Sequence, residues 1–165
     1  MEKIELKIWF SKVEISNKNK LKLLKNFESI ENIWNASEDE LRYLGYGNNV
    51  IFSLKNNLYK NALEQEANVL KKENVQIISI SDYAYPNRLK EITNSPVQIY
   101  VKGDVRKLYD DNVGVIGSRN ASEYGKNISR KIAKEIAEEG INVVSGLAIG
   151  IDKFAHIRSI RIQKR

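Results

Sequence analysis

The run Gly117-Ser-Arg-Asn-Ala-Ser-Glu-Tyr-Gly125 gathers residue types that can grip an anion. Gly117 permits a tight turn and close approach of backbone to ligand. Ser118 and Ser122 carry hydroxyls, and Arg119 can hold a phosphate through two parallel hydrogen bonds. A second glycine-rich run, Ser145-Gly-Leu-Ala-Ile-Gly-Ile-Asp152, lies downstream. Each follows a short apolar stretch and opens into a helical pattern, so both read as strand-to-helix turns. Unpaired N–H groups at such a helix start form a seat for phosphate. Neither run is a nucleotide fingerprint, because Gly114-Val-Ile-Gly117 lacks the G-x-G-x-x-G spacing and no Gly-Lys-Ser/Thr follows. The plain alternative is an ordinary turn with an exposed arginine.

Asp152 reads as the cap of the helix that follows, setting the loop's shape; its carboxylate would repel phosphate. His156, one turn later, reads as a helix-surface or cap-supporting histidine. No serine pairs with it as a nucleophile and no carboxylate pair stands out, so no catalytic constellation is apparent. A single histidine and no cysteine argue against a metal site and exclude disulfides, which fits a reducing cytoplasm. Leu44-Gly-Tyr-Gly47 is open to two readings: a helix-hairpin-helix turn touching DNA phosphate, or a plain helix C-cap.

The elements that must position these residues change character at Val75. Residues 1–75 read as a small helical domain. Leu21, Leu23, Leu24 and Phe27 share one face, Ser37-Glu-Asp-Glu40 forms a capping box, and a long helix is expected over 48–73 with Ile51, Leu54, Leu58, Ala62 and Leu70 inward. Residues 76–80 and 97–101 read as strands, with both prolines, Pro86 and Pro96, between them in an irregular segment. A βαβ unit follows: strand 113–117, a helix capped by Ser122 and stopped by Gly140, and strand 141–145. Ile128, Ile132 and Ile136 stack on one face of that helix. At about 1.5 Å per residue it is long enough to return along a five-residue strand, so the strands should be parallel. Ligands of such sheets bind where neighbouring strands end, which brings Ser145 and Gly146 beside residues 117–119.

The formal net charge of +6 gives weak support for a polyanion partner. Residues 1–75 are near neutral, and four of the excess charges in 76–165 are Arg158, Arg161, Lys164 and Arg165. No apolar run approaches the ~20 residues of a membrane span, and the charged N-terminus lacks a signal peptide's apolar region.

Several motifs in register carry a family resemblance. Tyr85-Pro-x-x-Leu89, Pro96-x-x-Ile-Tyr-Val-Lys-Gly103, Val115-Ile-Gly-Ser-Arg119 with Tyr124-Gly125, and Val144-Ser-Gly-Leu-Ala-x-Gly-Ile-Asp152 with Ala155-His156 resemble the DNA-processing protein A (DprA/Smf) family. The likeness runs from about residue 76 to His156 and implies an α/β fold: an incomplete Rossmann-like parallel sheet in 76–165, preceded by a small sterile-alpha-motif-like all-α domain in 1–75. It implies binding of single-stranded DNA, RecA loading in natural transformation and a homodimer in full-length members, with no catalysis and no cofactor. By motif position Arg119 would grip phosphate, with Gly117, Ser118, Ser145 and Gly146 lining the same pocket. Ser122 adds its hydroxyl and Gly125 belongs to the Tyr124-Gly125 motif; Lys126 and Arg130 are added from charge and position, while Gly150, Asp152 and His156 shape the motif. The run Ile157–Arg165 departs from the family pattern and fits neither helical nor alternating periodicity, so a C-terminally truncated product is expected. Its second strand would then keep an open edge. The alternatives are a nucleotide-hydrolysing Rossmann-like enzyme of the lysine-decarboxylase-like group, or a fragment without function.

Overall fold

The computed structural model describes residues 1–56 and 60–163. Packing divides the chain into two compact units, Met1–Val105 and Arg106–Arg165.

The first unit opens with six helices: α1 (Lys3–Lys12), α2 (Asn17–Phe27), α3 (Ile30–Asn35), α4 (Glu38–Tyr43), α5 (Asn48–Lys55) and α6 (Lys60–Lys72). Serines start three of them. The side chains of Ser16, Ser29 and Ser37 accept the N–H groups of Asn19, Asn32 and Glu40 at 3.1–3.2 Å, each cap worth about 1 kcal/mol. After α4, Gly45 takes φ +77°, its N–H reaches Arg42 O, and the Tyr46 N–H reaches Leu41 O. That bonding is a Schellman stop. Gly47 begins α5 as its N-cap. Gly45 and Gly47 thus serve as a helix stop and a helix start. Ile8, Trp9, Phe10, Leu23, Ile33 and Leu41 are buried together, with Trp34 edge-on to Trp9 at 4.9 Å.

The single helix expected over 48–73 is two. Asn56 leaves the helical region at φ −70°, ψ 90°, as a poor helix former does. Leu58 lies outside the described residues. In α6 the inward positions are Leu63 and Ala67, and Ala62 is exposed, one residue from the expected register. β1 (Val75–Ser79) pairs antiparallel with β2 (Gln98–Lys102), and the proline segment between them holds one short helix, α7 (Asn87–Lys90). Ile77 and Val97 belong to the helices' buried cluster. Lys7 of α1 fastens the ribbon, its Nζ lying 2.8 Å from Ile77 O and 2.6 Å from Asp82 Oδ2. Sequence character thus turns at residue 75, whereas packing divides at residue 105.

The second unit is a crossover: β3 (Asn112–Gly114), α8 (Glu123–Glu138), β4 (Asn142–Val144) and α9 (Ile151–Gln163). β3 and β4 pair in parallel, Val113 against Val143, as in an incomplete Rossmann-like sheet. Ser122 caps α8 through the Gly125 N–H, and Gly140 at φ +76° ends it, as read from the sequence. The buried face of α8 is not the isoleucine face. Ser129, Ala133 and Ala137 are buried, while Ile128 and Ile132 are exposed and Ile136 is half-buried. Small side chains let α8 and α9 pack closely. The tail that fitted neither periodicity continues α9 to Gln163.

Candidate functional site

The two glycine-rich loops meet at the carboxyl ends of β3 and β4. The ladder runs on beyond the strands: the Val115 N–H donates to Val144 O at 2.9 Å, and Ser145 Oγ donates to Val115 O at 2.6 Å. Asp152 joins the loops. Its buried carboxylate accepts the Gly117 N–H on Oδ1 at 3.3 Å and the Gly146 N–H on Oδ2 at 3.1 Å. It lies in the first turn of α9 and bridges two loops, where a simple cap was expected. The Ile151 N–H donates to Ser118 O at 3.2 Å. Gly150, at φ +94°, sits against that carbonyl, and a Cβ there would fall 2.2 Å from Ser118 O. His156 Nε2 lies 3.3 Å from Ser145 O.

Above these ties is an open cleft of about 580 Å³. The first loop and α8 supply Arg119, Asn120, Ala121, Ser122 and Lys126; the second loop and α9 supply Ile149, Gly150, Lys153 and Phe154. Arg119 and Lys153 have no ion-pair partner among the described residues. Lys126 is paired with Glu123 at 2.6 Å, and its hydrogen bond and charge hold the Glu123 carboxyl below its ordinary value. Its pull on an added anion is therefore weaker than that of Arg119 or Lys153. Both helices also point their N-termini, with their partial positive charge, toward the cleft end of the unit.

Of the residues singled out in sequence, Arg119, Ser122, Lys126 and Gly150 line the cleft. Gly117 and Gly146 lie beneath it with their N–H groups on Asp152. The Gly125 N–H is taken by Ser122 Oγ, and Ser118 Oγ accepts the Asn120 N–H at 3.1 Å. Ser145 is bonded to the β3 end, and Arg130 is not among the lining residues but lies over the ring of Phe154. Asn120, Ile149, Lys153 and Phe154 were not singled out. A signal was available for two of them: Lys153 and Phe154 follow Asp152 directly, in the first turn of a helix that opens on the same end of the sheet.

Comparison with known proteins agrees with this architecture. The family model for DNA recombination-mediator protein A matches residues 76–165. The chain is 38% identical over 96 residues to the DNA processing protein DprA of Bacillus subtilis, covering 58% of this chain and 32% of that protein. It is 30% identical over 151 residues to the Smf protein of Borreliella burgdorferi, covering 92% of this chain and 47% of the relative. The X-ray structure of DprA from Streptococcus pneumoniae superposes with a TM-score of 0.73 at 27% identity, covering 99% of this chain and 56% of that one. The chain thus spans from about a third to a little over half of the length of these relatives.

Proposed function

The chain belongs to the DNA recombination-mediator protein A (DprA/Smf) family, and from that premise we propose that its cleft binds the phosphate backbone of single-stranded DNA. The observation that carries this reading is the pair Arg119 and Lys153, two cations without ion-pair partners among the described residues, on facing lips of one open cleft. Such an arrangement grips charge and reads no base edge, so binding is independent of sequence and steeply salt-dependent. The site's role is holding DNA, not chemistry on it. Protection of an incoming strand, its transfer to a RecA recombinase in transformation, and pairing into a homodimer complete the proposal; these rest on family membership alone. No helix among the described residues is long and apolar enough to cross a membrane.

Fluorescence anisotropy with labelled oligo-dT across a salt series tests the cleft. Arg119→Ala should weaken binding severalfold and lower the slope of log K against log salt by about 0.7, one phosphate's worth on a single strand. Superimposable curves for wild type and Arg119→Ala would remove Arg119 from the site.

A further inference from the structure

Phosphate binding does not explain why an aromatic ring lines the cleft. Phe154 is half-buried, and its neighbour Ala155, fully buried, fills the place facing the core. The Arg130 guanidinium lies over the Phe154 ring, 4.0 Å from its centroid, with Lys126 Nζ at 5.7 Å. Arg130 is held in turn by Asn127 Oδ1 at 2.6 Å and is not among the cleft-lining residues, whereas Lys126 is. A cation on one side of a ring fixes its position without filling the other side. The cleft volume of about 580 Å³ lies within the roughly 300–1,000 Å³ of small-ligand sites, which suits a nucleotide and not a duplex.

We propose that Phe154, backed by Arg130, is a nucleobase platform, so that the cleft takes one unpaired nucleotide with its phosphate between Arg119 and Lys153 and its base against the ring. This rests on the reading of the cleft as a DNA site and adds a stacking contact to it. Cations that follow a backbone beside an aromatic face are the combination that holds unpaired strands, because every base offers a π-face and a duplex hides it. Phe154 therefore sets the preference for single over double strands, while Arg119 sets the salt dependence.

The test compares the full chain with Phe154→Ala and Phe154→Trp variants. The probes are fluorescein-labelled oligo-dT and an abasic sugar-phosphate oligomer of equal length. Wild type should bind oligo-dT more tightly than the abasic chain. Phe154→Ala should lose about five- to a hundredfold on oligo-dT, stay within twofold on the abasic oligomer, and keep the wild-type salt slope on both. Phe154→Trp should retain affinity and add a tryptophan emission that oligo-dT quenches and the abasic oligomer does not; this arm stands even if the alanine variant fails to fold. Equal losses on both oligomers, or no quenching in Phe154→Trp, would overturn the platform and reduce Phe154 to a helix-packing residue. Abasic and oligo-dT binding that are equal in wild type yet sensitive to Arg119→Ala would overturn the platform while leaving the DNA reading intact. Wild-type binding to neither oligomer would remove both.

Discussion

At the scale of single residues, Gly150 and Asp152 hold the two loops of the cleft together. Asp152 fastens two backbone N–H groups from different loops, and Gly150 allows the loops to touch. The two glycines Gly45 and Gly150 share a positive φ but differ in surroundings. A Cβ at Gly45 meets nothing within 4 Å, whereas one at Gly150 strikes the backbone of Ser118 and Arg119. Gly45→Ala should therefore cost only the backbone strain, about 1 kcal/mol. Gly150→Ala should cost about 2–4 kcal/mol and loosen the cleft, because a backbone oxygen cannot move aside as a side-chain end can. Urea denaturation of both variants checks this; equal losses would refute the collision. Glycine at a loop end was legible in the sequence, but the partner it faces was not, since Ser118 lies 32 positions away.

Among the elements, α8 shows why part of the fold escaped a reading by hydrophobicity. Its caps, Ser122 and Gly140, are local chemistry and were legible. Its buried face was not, because periodicity counts apolar residues and close helix packing selects small ones. Ser129, Ala133 and Ala137 lie against α9 while Ile128 and Ile132 face outward. Lys153 and Phe154 are a different case: their signal lay in following Asp152 directly, and their place at the cleft depends on where α9 begins. The β1–β2 ribbon offers a pH test. Burial raises the Asp82 carboxyl, but hydrogen bonds from Lys7 and the Ser79 N–H, with the charges of Lys7 and Lys3, more than offset it and leave the pKa below its ordinary 3.8. A depressed carboxylate stabilises the fold above its unfolded pKa and loses that contribution as pH falls through the folded value. The first unit should thus weaken below about pH 4. Asp82→Asn should destabilise it by about 1–2 kcal/mol at pH 7 and flatten the acid loss, as followed by the emission of Trp9 and Trp34. An unchanged acid profile in that variant would assign the loss to other carboxylates.

For the whole molecule, the uneven distribution of core matters most. The large buried cluster, from Ile8 to Val97, lies entirely in the first unit. In the second unit the buried apolar residues among those described are Ala133, Ala137 and Ala155, while Ile116, Val144, Leu147 and Ile149 are each at least half exposed. Burial of apolar area is the main stabilising term, so the second unit should open first. Both tryptophans sit in the first unit, which gives the readout. Helical circular dichroism should begin to fall at a lower urea concentration than tryptophan emission begins to shift. Coincident curves would mean that the two units unfold as one.

The tie between the loops also decides where the entropy of association is lost. Because Asp152 and the Ser118–Ile151 bond already hold both lips in register, an arriving ligand finds the protein side preorganised. A flexible polymer settling there surrenders its own freedom and little of the chain's. Capture should then depend on how readily the strand itself unstacks, making pyrimidine tracts easier to seize than purine tracts even though no base edge is read.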